Sequence, residues 1–255
     1  MSKSIKINGK WPIILPDASA DEWIGNMEHH HNSWEMPRLL VLEKEIKGYN
    51  KHPLEGYMES PVVYYVGAYK GDMSALLASW GATVCNFEAT PAFWSLIKET
   101  WDLNDLTPPE FNFAGLVSNK TTIEPPFHPL RGWPKEIETP YFEGKVGFSH
   151  LAESAGVLPE ITLDDFWRFT DLKPDIITMD IEGSELEAMK GAINIVKELH
   201  PTLLLSVHPE FMFHNHGTYE RELHDLLRDN GYEYWEWLDY DHEHHWLYKH
   251  KGVKK

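Results

Sequence analysis

The chain has 255 residues, room for one large domain or two small ones, and its 42% hydrophobic content is enough for a real core. With 23 Lys and Arg against 40 Asp and Glu, the formal charge is −17, which argues against nucleic-acid and anionic-lipid partners, since both need a basic surface. A single cysteine, Cys85, rules out an internal disulfide and suits a reducing, cytoplasmic setting.

In chain order, residues 1–33 read as an irregular arm. Their apolar run, Trp11 to Leu15, is short and broken by proline, too short for a signal-peptide core. Met36 to Ile46 reads as a helix with Leu39, Leu40, Leu42 and Ile46 on a broad apolar face. Residues 1–50 are thus expected to form an arm and a helix packed on one domain, 51–255. A strand over Val62–Val66 runs into the loop Gly67-Ala68-Tyr69-Lys70-Gly71, and Asp72 is placed to cap a helix over Met73–Trp80. A second strand, Ala82–Phe87, ends at Glu88, and Thr90-Pro91 opens the next helix. A third strand covers Phe111–Val117. Residues 119–158 are rich in Pro and Gly and read as a long irregular insertion of the kind that carries specificity. A short helix over Ile161–Phe169 and a strand over Asp175–Met179 lead to Asp180-Ile181-Glu182-Gly183. One helix carrying Leu186, Met189, Ile193 and Val196 follows, then a strand over Thr202–Val207 ending at His208-Pro209. A helix over Tyr219–Asp229 precedes two terminal strands, Tyr232–Leu238 and His245–Tyr248, close enough to form an antiparallel hairpin. No run of about 18 apolar residues is present, so no membrane span is expected.

Strands alternating with helices predict an α/β fold with a mainly parallel sheet and one antiparallel strand. Ligands bind such sheets beyond the carboxyl ends of the strands. The positions to watch are therefore Gly67 to Asp72, Glu88, Leu116 to Ser118, Asp180 to Gly183 and His208. Gly67 and Gly71 permit a sharp turn and a close approach, and Glu88 lies 21 residues after Gly67, the spacing of an acid that accepts ribose hydroxyls. Neither G-x-G-x-x-G nor a P-loop is present. A ribose acid without a pyrophosphate cradle points to a nucleoside without phosphates, of which S-adenosylmethionine is the common one.

VVYYVGAYKGDMSALLASWGATVCNFEAT and, more closely, ITLDDFWRFTDLKPDIITMDIEGSELEAMKGAINIVKELHPTLLLSVHPEF resemble the two halves of FkbM-family methyltransferases. The specific features are Thr162–Phe166, the D-I-E-G-x-E run Asp180–Glu185, Lys190-Gly191-Ala192 and Val207-His208-Pro209. The HHHNSWE and DHEHHWLY stretches resemble variants carried by bacteriophages, which would place the protein in a host cytoplasm. The resemblance implies a class I, Rossmann-like methyltransferase fold of seven strands and transfer of a methyl group from S-adenosylmethionine to a hydroxyl of a sugar, glycan or other small metabolite. It implies that Val66, Gly67, Ala68 and Gly71 line the methionine part, that Glu88 holds the ribose, and that Ala89, Leu116 and Val117 flank the adenine. The family usually has Asp where Tyr65 stands and Asn or a small residue where Tyr69 stands. With that acid gone, Asp72 or Asp180 is left to hold the cofactor's ammonium group.

A hydroxyl acceptor must be oriented and lose its proton. His208 is the first candidate base, with Asp180 and Glu182 to orient it, position the acceptor or ligate a divalent metal; only two of these three offer the oxygen that hard ions prefer. Glu185 and Glu187 read as solvated helix acids. In Asp241–His245 strand alternation lets only two or three side chains converge, and His242 is a candidate pocket residue. Trp34, with His29–His31, is a candidate to close over the acceptor, and Trp133 and Trp167 to form a pocket lip. Two other readings are a methyltransferase-like domain that binds without catalysis, motivated by Tyr65 and Tyr69, and a metal-dependent hydrolase built on the His and acid clusters.

Overall fold

The computed structural model describes residues 1–49, 60–122, 130–131, 133, 158–240 and 243–252. The first departure from the sequence reading is at the amino terminus. In place of an irregular arm there is an antiparallel hairpin, β1 (Ser2–Ile7) and β2 (Trp11–Pro16), followed by α1 (Asp17–His29). Trp11, Ile13 and Leu15 alternate inward, and Pro12 and Pro16 are tolerated because β2 pairs only with β1 in a two-stranded sheet. On α1, Ala20, Trp23 and Met27 are buried at helical spacing.

The chain continues through α2 (Met36–Lys47), β3 (Val62–Val66), α3 (Asp72–Ser79), β4 (Thr83–Glu88), α4 (Pro91–Leu103), β5 (Phe111–Ala114), β6 (Leu116–Val117), β7 (Leu130–Arg131), β8 (Glu160–Ile161), α5 (Leu163–Thr170), β9 (Ile176–Asp180), α6 (Glu185–Lys190), α7 (Ile193–Glu198), β10 (Thr202–Val207), α8 (Pro209–His216), α9 (Glu220–Asp229), β11 (Tyr232–Tyr240) and β12 (Glu243–His250). The main sheet has the order β11-β12-β10-β9-β3-β4-β5, with the two-residue β7 added antiparallel at the far edge. Five strands, β5, β4, β3, β9 and β10, are parallel. β12 inserts antiparallel beside β10, and β11 closes the sheet by pairing with β12. This is the class I methyltransferase fold, with β7 as an eighth strand that the sequence reading lacked.

Several boundaries moved for local reasons. Gly71, in a left-handed conformation, ends the loop before α3, so Asp72 is the helix's first residue and not its cap. The third strand breaks after Ala114, because Leu116 and Ser118 donate their N–H groups to Pro159 and Ile161 and β6 leaves the sheet to pair with β8. The helix expected over Leu186–Val196 is two helices. Gly191 lies against the Ser118 carbonyl, where a Cβ would come within 2.1 Å, and Asp164 accepts from the N–H groups of Asn194 and Ile195 at the start of α7. α8, between the His208-Pro209 strand end and the helix at Glu220, is an element that the sequence reading did not assign.

Two apolar layers cover the sheet. On one face Tyr64, Phe87, Phe166, Met189, Ile195 and Leu205 belong to a cluster with α5, α6, α7 and α9; on the other, Val63, Tyr65, Leu76, Trp94 and Ile97 share a cluster with Trp11, Leu15 and Trp23 of the amino-terminal hairpin and α1. Trp101 is buried and Trp80 packs half-buried on the second cluster. Among the described residues no helix is long and apolar enough to cross a membrane.

Candidate functional site

The carboxyl ends of β3, β4, β9 and β10 gather most of the residues singled out in the sequence, and they form two groups. The first is built mainly from backbone. Gly67 follows Val66 at φ +86°, and a Cβ there would fall 1.9 Å from the Asp180 carbonyl oxygen, so only glycine lets β3 and β9 end this close together. The N–H groups of Gly67 and Ala68 both donate to the Phe87 carbonyl (2.9 and 3.0 Å), which pins the loop to β4. Tyr69 occupies the left-handed region at φ +50°, a conformation that a tyrosine rarely adopts. Its ring packs edge-on against Phe93 at 4.5 Å.

Glu88 ends β4 and is buried. Its carboxylate accepts from the N–H of Tyr69 and of Thr90, each at 2.7 Å. Burial nevertheless outweighs these bonds and pushes its pKa up to about 7. Each oxygen keeps a second lone pair for a further donor. Ala89 follows half-buried, and the Gly115 N–H donates to the Glu88 carbonyl (3.1 Å), bringing Leu116 and Val117 alongside. Asp72 accepts from the indole N–H of Trp23 and the N–H of Met73, and burial raises its pKa. A buried carboxylate with spare lone pairs, beside a glycine turn with no room for a side chain, fits a nucleoside whose ribose donates to Glu88.

The second group is built from charged side chains. Asp180, Glu182 and His208 do come together: His208 Nε2 lies 3.8 Å from Asp180 Oδ1 and 3.6 Å from Glu182 Oε2. Glu185 corrects the sequence reading, for it is fully buried and not a solvated acid. Its Oε1 receives the Gly183 N–H (3.1 Å) and faces His208 Nδ1 at 3.1 Å, because the left-handed turn at Glu182 and Gly183 folds α6 back under the strand ends. Burial alone would lower the His208 pKa, but the bond to Glu185 and the charge of Asp180 push it up to about 9. Burial raises Asp180 and Glu182, against the opposing charge of Arg38 on Asp180 and of His208 on Glu182.

Sequence reasoning missed Arg38. On α2 it reads as a surface cation, yet it is 1% exposed. Its guanidinium donates to Thr178 Oγ1 at 2.9 Å, Ser206 Oγ at 3.3 Å and Asp180 Oδ2 at 3.4 Å, and it faces Glu35 Oε2 at 3.6 Å. Burial works to lower its pKa, but Tyr65, Glu35 and Asp180 more than offset this and hold it charged. The ring of Tyr65 lies 5.9 Å from that guanidinium. Alternation on β12 supplies the other missed members. Glu243 and His245 turn inward, with Glu243 Oε1 3.1 Å from His245 Nε2 and 4.0 Å from His208 Nε2, while His244 turns away to Glu220 (2.9 Å). The odd-numbered polar residues of a strand leading back to a buried arginine are the signal that could have found them.

Some candidates went elsewhere. Trp34 packs on Trp23, ring centroids 4.5 Å apart, and Trp133 on Trp101 at 6.0 Å. Trp167 is half-buried against the core, and the rings of His29 and His30 pack on each other at 4.7 Å. His242 and most of the 119–158 insertion lie outside the described residues.

Residues 66–234 match the methyltransferase FkbM domain. No protein of curated function matches the sequence. Among solved structures, the methyltransferase FkbM from Methylobacillus flagellatus is similar with a TM-score of 0.49 and 16% identity over 81% of this chain. The chain spans half, 50%, of that protein. A SAM-dependent methyltransferase from Agrobacterium tumefaciens gives 0.48 and 11% identity over 85% of this chain and 61% of its own. The amino-terminal domain of human METTL16, solved in complex with SAH, gives 0.44 and 13% identity over 85% and 69%.

Proposed function

The chain belongs to the FkbM methyltransferase domain family, and from that premise we propose that it transfers a methyl group from S-adenosylmethionine to a hydroxyl of a sugar, glycan or other small metabolite. The observation that carries the cofactor half is Glu88, a buried carboxylate at the end of β4 that keeps lone pairs for a ribose diol. Bound there, S-adenosylmethionine would supply an electrophilic methyl group and its own leaving group. Gly67 and Ala68 leave room for the methionine part, Ala89, Leu116 and Val117 flank the base, and Asp72 or Asp180 offers a carboxylate to the ammonium group in place of the family acid that Tyr65 replaces.

The acceptor half is Asp180, Glu182 and His208. They orient the hydroxyl and accept its proton, and orientation plus a placed base are worth orders of magnitude in rate. With a pKa of about 9, His208 carries a proton at neutral pH. In that form it donates a hydrogen bond, and Glu182, half-exposed at 3.6 Å, is the adjoining acceptor. A neutral hydroxylated acceptor suits a protein of charge −17, which would repel an anionic one.

The test is mass spectrometry of hydroxylated glycans and small sugars after incubation with protein and cofactor. A gain of one methyl group is expected, and it should disappear with His208→Ala. That variant should lose about 100-fold in kcat with cofactor affinity intact. Near-normal turnover would remove His208 from the acceptor half.

A further inference from the structure

We propose that the ends of β9, β10 and β12 form a divalent-cation site, with Asp180, His208 and Glu243 as ligands to a first-row transition ion such as Mn²⁺ or Zn²⁺. The histidine carries the argument. His208 is 6% exposed, and its Nδ1 is fixed at 3.1 Å by Glu185, a fully buried carboxylate itself held by the Gly183 N–H. A histidine whose Nδ1–H is anchored on a carboxylate turns Nε2 toward the site, the arrangement that orients metal-binding imidazoles, and an ion binds there by displacing the proton that Nε2 otherwise carries. Among the described residues that Nε2 has no hydrogen-bond partner. Its neighbours are three carboxylate oxygens, of Glu182, Asp180 and Glu243, at 3.6, 3.8 and 4.0 Å.

Those distances are too long for hydrogen bonds but close to the spacing of two ligands on one ion. Two bonds of about 2.1 Å at a tetrahedral angle set their donor atoms about 3.4 Å apart. The donor atoms of Asp180, His208 and Glu243 lie within 4.8 Å of one another, so an ion need close each separation by no more than about 1.4 Å to reach that spacing. Three neighbouring elements supply them, and each is held from behind. Arg38 donates to Asp180 Oδ2, leaving Oδ1 toward His208, and His245, anchored through Nδ1 on Ser206 at 3.1 Å, lies 3.1 Å from Glu243 Oε1. Charge favours a cation as well, since Glu35, Asp180, Glu182, Glu185 and Glu243 face the guanidinium of Arg38 and two imidazoles. One nitrogen and two oxygen ligands suit a transition ion better than Ca²⁺ or Mg²⁺, which prefer oxygen alone. Three protein ligands leave positions open for a hydroxyl. What the ion does, orienting the acceptor hydroxyl and making it more acidic, rests on the methyltransferase reading; that it binds does not.

The test is titration of the chelator-stripped full chain with Mn²⁺, read by electron paramagnetic resonance of the free ion, and with Zn²⁺, read by elemental analysis after dialysis. One ion per chain is expected. Glu243→Gln and His208→Gln should each weaken binding at least about tenfold, while Glu187→Gln, on the outer part of α6, should leave it unchanged. Loss of stoichiometric binding in a Glu243→Gln protein with wild-type circular dichroism supports the site even where His208→Gln misfolds. Absence of a stoichiometric ion on the wild type, or equal binding in the wild type and Glu243→Gln, would overturn it. Calorimetry with S-adenosylmethionine on the same samples separates the two readings. Ion binding without cofactor binding refutes the transferase and keeps the site, and cofactor binding without ion binding does the reverse.

Discussion

The two halves of the site are made differently. Around β3 and β4 the chain uses backbone: a glycine turn, N–H groups donated to a strand carbonyl, and one buried carboxylate satisfied by main-chain donors. Around β9, β10 and β12 it uses side chains drawn from α2, α6 and three strand ends, organised about the buried Arg38. A backbone cradle tolerates changes in side chain but not in shape. A charge network tolerates changes in shape but not in charge.

The largest effect should come from the charged half. Arg38→Met leaves Asp180 and Glu35 without their cation in a buried setting, and one-sided loss of a buried pair costs about 3–5 kcal/mol. Urea unfolding should show that loss. A change under about 1 kcal/mol would mean the network does not depend on Arg38. On the backbone side, Gly67→Ala places a methyl group 1.9 Å from the Asp180 carbonyl at a positive φ, and should cost about 2–3 kcal/mol and abolish cofactor binding. Wild-type binding by Gly67→Ala would show that the loop has slack.

Glu88 gives a subtler contrast, through pH. Its folded pKa of about 7 stands above the ordinary 4.5, so the folded state holds the proton more tightly than the unfolded chain. Its contribution to stability is therefore fully present below about pH 4.5 and lost as pH rises through about 7. Glu88→Gln removes that slope. The melting temperature of the wild type should fall relative to Glu88→Gln between about pH 5 and pH 8, and parallel curves would show Glu88 ionising normally. The smallest effect belongs to Glu182→Gln. Half-exposed and, among the described residues, making no hydrogen bond through its carboxylate, Glu182 should contribute under about 0.5 kcal/mol to stability, so any loss of turnover there is chemical.

The same contrast explains what could be read in advance. Gly67, Gly71 and Glu88 were legible because one loop and one fixed spacing carry them, and Asp180 and His208 because each ends an apolar strand. Arg38 and Glu35 were not, since nothing local at α2 says that a charge will be buried; alternation groups Glu243 with His245 on β12, but which face turns inward follows only from β12 inserting beside β10 and α2 covering the strand ends. Glu185 looked like a solvated helix acid for the same reason. The hairpin at residues 2–16 was lost to its prolines, and α8 to a sequence without apolar periodicity.

The central claim is that the cradle around Glu88 holds S-adenosylmethionine. Isothermal calorimetry with the cofactor and its demethylated product, on the wild type and on Glu88→Ala, addresses it directly. We expect one site per chain in the wild type and at least about tenfold weaker binding in Glu88→Ala, the loss of charge-assisted hydrogen bonds to the ribose. No heat of binding in the wild type at high micromolar cofactor, or equal affinity in both proteins, would contradict it.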